Sequence, residues 1–121
     1  MGGGNMLLWG ALCQDPSVRP YNTCHESMAV SMADGYSRTT GKIGVAMVTG
    51  GPGLTQCGTS LIAAYRGKTP LLVIAGEIET GAKNSSQTVD QRRFVEASSA
   101  RFVTKSTRRS MRRAPAADRL C

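Results

Sequence analysis

Residues 23–53 read TCHESMAVSMADGYSRTTGKIGVAMVTGGPG, and this stretch decides the fold. Ala29, Met32, Ala33 and Tyr36 recur at helical spacing, which predicts a helix over residues 24–38 with these side chains on its buried face. Thr39-Thr40-Gly41-Lys42 closes the helix, Gly41 being suited to the left-handed position that follows a C-terminus. Residues 43–48 form a short apolar run with β-branched members between glycines, the pattern of a buried strand. Thr49-Gly50-Gly51-Pro52-Gly53 then makes a glycine-rich loop at the carboxyl end of that strand, where open α/β sheets bind ligands.

Glu26 is the unusual residue of the stretch. It lies three positions before Ala29 and so leans toward the buried face, where a carboxylate costs free energy unless something pairs with it. Its spacing from Thr23 also fits a capping box, in which the Thr hydroxyl and the Glu carboxylate satisfy free amides at a helix start, a device worth about 0.5–2 kcal/mol that needs no function. The glycine loop has equally plain alternatives. It can serve only as a tight turn, or its amides can hold a phosphate, although neither GxxxxGK[ST] nor GxGxxG is present.

Working outward, residues 54–66 read as a helix with Leu54, Cys57, Leu61 and Ala64 inward, and residues 70–75 as a second buried strand with Pro70 at its tolerated first position. Strand, loop, helix and strand make a βαβ unit with parallel strands and a right-handed crossover. The fold class expected is α/β, a three-layer sandwich with a short parallel sheet flanked by helices. Residues 76–89 form a long polar connector, and such loops are usually functional. Residues 91–99 are expected to be helical, 101–104 a weaker strand, and 106–120 a last helix interrupted near Pro115. The segment 1–22 is irregular, with a short helix or strand between Met6 and Cys13. Asp15-Pro16 and Arg19-Pro20 break anything longer.

His25-Glu26, Ala33-Asp34-Gly35-Tyr36-Ser37-Arg38, Thr40-Gly41-Lys42, Gly51-Pro52-Gly53-Leu54-Thr55 and Thr69-Pro70-Leu71-Leu72-Val73-Ile74-Ala75-Gly76 occur in this order. Their order and spacing resemble the pyrimidine-binding domain of thiamine diphosphate-dependent enzymes of the acetolactate synthase type, over roughly residues 22–105. The resemblance implies a domain over 23–105, preceded by the irregular segment 1–22 and followed by a basic helix or tail at 106–121. It also implies that Glu26 hydrogen-bonds a ring nitrogen of the cofactor's pyrimidine and favours the tautomer that removes the thiazolium proton. The cofactor then serves as electron sink for decarboxylation and carbon–carbon bond formation on a 2-oxo acid. Gly51, Pro52 and Gly53 would approach the aminopyrimidine, and Gln56 stands where the family carries Asn. Gln87 matches a position near the reacting centre, its plain alternative being an exposed loop amide. In the family, Mg²⁺ and the diphosphate are held by a second domain through a GDG motif. No GDG occurs in this sequence, so the chain is expected to be a truncated relative supplying half a site. Its expected partner is a diphosphate-binding domain of another chain or a C-terminal region, in a homo-oligomer. A non-catalytic module pairing with full-length relatives is the alternative.

Composition agrees with a globular domain. The 121 residues include 14 glycines, with 40% apolar and 19% charged residues, a balance suited to close α/β packing. Residues 1–100 hold eight Lys/Arg against seven Asp/Glu, while residues 101–121 hold seven against one. That basic end holds a single aromatic residue, Phe102, too few to stack successive bases, which argues against nucleic-acid binding. Cys13, Cys24, Cys57 and Cys121 show no metal-ligand spacing and read as free thiols. His25 is the only histidine, and no Ser-His-Asp or metal-ligand pattern accompanies it; it reads as a polar neighbour of the helix start. Residues 7–13 are too short to span a bilayer. The expectation is a soluble, intracellular, cytoplasmic protein without membrane contact.

Overall fold

The computed structural model describes residues 5–77, 85–98 and 101. Among them, helix α1 (Met6–Gln14) precedes α2 (Glu26–Thr40), strand β1 (Gly44–Val48), a short α3 (Pro52–Thr55), α4 (Gly58–Arg66), strand β2 (Leu71–Ala75) and α5 (Gln91–Ala97). β1 and β2 pair in parallel, with Gly44 opposite Leu71 and Val48 opposite Ala75. The chain is thus a small α/β domain built on the expected strand–loop–helix–strand unit. Residues 102–105 and the basic segment 106–121 lie outside the described residues, as do residues 78–84 of the polar connector.

The core consists of Val30 and Ala33 from α2, Ala46 and Val48 from β1, Leu54, Cys57 and Leu61 from the following turn and helix, and Val95 from α5. The buried face of α2 therefore differs from the expected one. Val30, Ala33 and Ser37 point inward, whereas Met32 and Tyr36 are each half exposed. The cause is how closely the helix approaches the sheet. A side chain at Gly44 would run into the Ala33 carbonyl, and the Ser37 hydroxyl donates to the Pro70 carbonyl at 2.9 Å. Only small residues fit at that distance, so the bulkier Met32 and Tyr36 are turned away.

Helix boundaries move by about two residues from those expected. α2 starts at Glu26, and its N-cap is His25, whose Nδ1 accepts from the Ser27 amide at 3.2 Å. Gly41 caps the other end at φ 70°, and its amide bonds the Ser37 carbonyl, as read from the sequence. The helix expected over 54–66 is two helices, because the Cys57 amide bonds Leu54 in a tighter turn before Gly58 restarts the chain. The four inward residues named for it, Leu54, Cys57, Leu61 and Ala64, are all buried.

The amino-terminal segment is helical at residues 6–14, and α1 buries none of its residues. It is pinned at its start, where buried Asn5 donates through Nδ2 to the Val48 carbonyl at 2.6 Å. On the sheet, Val45 and its partner Leu72 are more than half exposed.

Candidate functional site

The first requirement of a site in this fold is a loop at the carboxyl ends of parallel strands, and β1 delivers one. Gly51 takes φ 65° and ψ −121°, a conformation natural only to glycine. A side chain there would also collide with the main chain of Gln87. The turn sends the chain into α3 with Pro52 at its first position, where the missing amide costs nothing.

Glu26 meets this loop from the side. Val30, Ala33 and Ser37 face the core, and Glu26 lies one turn before Val30 on the same face. Its Oε1 lies 3.1 Å from where a Cβ on Gly53 would stand, and Thr49 Cβ lies 2.9 Å from that point. Gly53 therefore lets the loop backbone press against the carboxyl group. Glu26 itself is partly buried. Among the described residues the ion pairs join Arg38 with Asp34, Arg92 with Glu96 and Arg93 with Asp90, and none involves Glu26. Glu26 is the first residue of α2 rather than its third, and the Thr23 hydroxyl donates to the His25 carbonyl at 3.2 Å. The reciprocal capping box is not formed, and His25 performs the capping instead.

Cys57 completes the inner wall. It is fully buried, and its Sγ donates to the Gly53 carbonyl at 3.5 Å. Burial, and secondarily the negative charge of Glu26, pushes its thiol up to about 11, so it stays protonated and unreactive at neutral pH.

The structure brings Glu26 and Gly53 together and sets Gln87 against Gly51 by its main chain, with the Gln87 side chain exposed. Gln56 ends α3 in an exposed position. The sequence reading missed Gln91. This residue is buried, accepts the Gly51 amide on Oε1 at 3.1 Å and donates through Nε2 to the Gly76 carbonyl at 3.2 Å. Its signal was faint: a polar residue at the start of a predicted helix is ordinarily exposed.

The same bond bears on the loop's chemistry. The Gly51 amide is engaged by Gln91, Pro52 has none, and α3 is only four residues long. That is a poor phosphate cradle, which needs several amides converging on one anion. Among the described residues no three of His, Cys, Asp and Glu converge as metal ligands. No helix among them is long and apolar enough to cross a membrane.

Comparison with known proteins places the chain in a class. Residues 1–97 match the family described as thiamine pyrophosphate enzyme, N-terminal TPP binding domain, and the chain belongs to that family. Among its relatives is the acetolactate synthase large subunit of Buchnera aphidicola (subsp. Schizaphis graminum), 43% identical over 77 residues, which is 64% of this chain and 14% of that protein. Acetolactate synthase isozyme 3 large subunit of Escherichia coli is 39% identical over 79 residues, 65% of this chain and 14% of that protein. Human 2-hydroxyacyl-CoA lyase 2 is 37% identical over 91 residues, 74% of this chain and again 14% of that protein. The chain thus aligns with about 14% of the length of these curated relatives.

Proposed function

We propose that this chain supplies the aminopyrimidine side of a thiamine diphosphate site in a 2-oxo acid decarboxylase or carboligase of the acetolactate synthase type. The observation that carries the reading is the placement of the Glu26 carboxyl group against Gly53, at the carboxyl end of the parallel sheet. The residues fit such a ring. Glu26 offers an oxygen to a ring nitrogen, and Gly53, lacking a side chain, lets the loop backbone lie beside that oxygen. In this reading Glu26 Oε1 shares a proton with that nitrogen. Gln56 takes the place of the family's Asn beside the ring, and Gln87 stands on the substrate side. When bound, thiamine diphosphate supplies the electron sink for making or breaking a carbon–carbon bond beside a carbonyl. The diphosphate and Mg²⁺ are assigned to residues outside this sequence, in a second domain of the same or another chain. The relatives' names support the reaction class, one being an acetolactate synthase and another a 2-hydroxyacyl-CoA lyase.

Complementation tests the reading. The chain is mixed or fused with the diphosphate-binding domain of a close relative, and deuterium exchange at the thiazolium carbon of added thiamine diphosphate is followed. Glu26→Gln is expected to slow exchange by on the order of 10²-fold or more, with stability changed by no more than about 0.5 kcal/mol. Exchange as fast in the variant as in the complementing wild type would exclude the assigned role of Glu26.

A second reading has one observation in its favour. Met28, Met32 and Tyr36 run along α2 four residues apart and are about half exposed, with Ile62 and Tyr65 similarly exposed on α4, which packs against α2. This is a face suited to a non-catalytic module that pairs with full-length relatives. Binding to such a relative with no exchange in any complemented mixture would favour it.

A further inference from the structure

We propose that Gln91 is the positioning residue of this site, its side-chain amide holding the loop after β1 against the loop after β2 so that Gly53 is kept on Glu26. The assignment of a site at Glu26 rests on the function proposed above; the positioning itself does not.

The structure carries the inference through three linked observations. First, both ends of the amide are used. Oε1 accepts the Gly51 N–H at 3.1 Å, and Nε2 donates to the Gly76 carbonyl at 3.2 Å. No other neutral side chain of that length offers one donor and one acceptor in a plane, so the bridge is specific to glutamine or to a protonated glutamate. Second, the two loops are in direct contact. A side chain on Gly50 would strike the Gly76 carbonyl and come within 3.3 Å of Gln91 Oε1. Third, α5 is itself fixed. Asp90 caps it by accepting the Arg93 amide at 3.0 Å, Val95 is in the core, and Phe94 Cζ lies 3.3 Å from where a Cβ on Gly58 would stand. Gln91 is therefore presented from a rigid element to a backbone segment in a glycine-only conformation. Such a segment, with its amide unbonded, would sample other turns.

The experiment uses the full chain without ligand. Gln91→Met keeps length and volume and removes both bonds. Amide exchange at Gly51, followed by NMR, is expected to accelerate at least tenfold, and Cys57 labelling by a disulfide reagent at least severalfold, while amides of the β1–β2 ladder keep their wild-type rates. Unchanged ladder rates separate loosening of the loop from a general loss of stability. Gln91→Glu supplies the rescue. At mildly acidic pH the neutral acid accepts from Gly51 and donates to Gly76, so Gly51 exchange relative to wild type returns toward unity. Once ionised, the group can still accept from Gly51 but has no proton for the Gly76 carbonyl, whose oxygen repels the carboxylate, so the side chain leaves the bridge and Gly51 protection falls. A folded Gln91→Met chain with Gly51 still protected overturns the proposal. Should that variant not fold, a Gln91→Glu chain with the same ratio to wild type at both pH values overturns it instead.

A second arm adds thiamine diphosphate and the complementing domain. The Gln91→Glu chain at neutral pH is expected to need at least tenfold more cofactor for half-maximal exchange, with a smaller change at saturation. If wild type itself fails to complement, the function proposed above falls, while the ligand-free measurements still decide the role of Gln91.

Discussion

At the scale of single residues, the pair Glu26 and Gly53 carries most of the consequences. A methyl group at Gly53 would meet Thr49 Cβ at 2.9 Å and Glu26 Oε1 at 3.1 Å, closer than atoms of a relaxed core approach. Gly53→Ala is therefore expected to destabilise the chain by about 1–3 kcal/mol, measured by denaturant unfolding, and to displace the carboxyl group. Cys57 reports the same neighbourhood. With its thiol pushed up to about 11 by burial and then by Glu26, native labelling at pH 8 should modify exposed Cys13 and Cys24 and leave Cys57 intact. Glu26→Gln removes the second cause, so the Cys57 titration should move down but stay above that of an exposed thiol. Because the folded-state value is raised, the contribution of Cys57 to stability is complete below the ordinary thiol range. It is lost as pH rises through about 11. An unfolding series across the alkaline range in wild type and Cys57→Ala checks this sign.

At the scale of elements, α2 and β1 approach each other closely. Gly44 has no room for a side chain because the Ala33 main chain occupies the space. Gly44→Ala is expected to cost at least about 1–3 kcal/mol, whereas the same change at Gly35, which faces open space on α2, should be neutral or stabilising by up to about 1 kcal/mol. Thermal unfolding of the two variants distinguishes a packing constraint from a general penalty on losing glycine. α2 is also tied to α4. Arg38 bonds both carboxylate oxygens of Asp34 at 3.0 Å and reaches the Ala63 carbonyl at 3.4 Å. The guanidinium holds the Asp34 carboxyl below its usual range. A depressed folded-state value means that the pair stabilises above the ordinary aspartate range and that its contribution is lost as pH falls through the folded value. For a partly exposed pair this amounts to about 0.3–0.5 kcal/mol, so Asp34→Asn should flatten only a small part of the acid limb of stability against pH.

At the scale of the whole molecule, exposed apolar surface dominates. Met28, Met32 and Tyr36 on α2, Val45 and Leu72 on the sheet, and Met6 and Leu7 on α1 are at least about half exposed. Surfaces of this kind mark sites of association. Sedimentation is expected to show concentration-dependent self-association, and a compact monomer at every concentration would count against pairing through these faces. The seven Lys/Arg of residues 101–121 set a separate expectation. Any binding of DNA or RNA should be weak, indifferent to sequence and steeply reduced by added salt. Sub-micromolar binding that survives raised salt would make this segment a nucleic-acid contact in its own right.

What the sequence determined by itself was local and periodic. The glycine cap of α2, the two apolar strands, the glycine turn after β1 and the inward set Leu54, Cys57, Leu61 and Ala64 follow from spacing, because each depends on neighbours within a few residues. The ordered motifs around Glu26 and Gly51-Pro52-Gly53 also carried the family. Tertiary structure alone decided which side of α2 faces inward. Met32 and Tyr36 satisfied the period as well as Val30 and Ser37 did, and only the close approach at Gly44 excludes the larger pair. It also decided which residue caps that helix, since Thr23 and His25 both offered a side-chain acceptor at the helix start. Gln91 was illegible for a related reason. Its two bonds join loops 40 and 15 residues distant in the chain, and no pattern within a helix records a partner that far away.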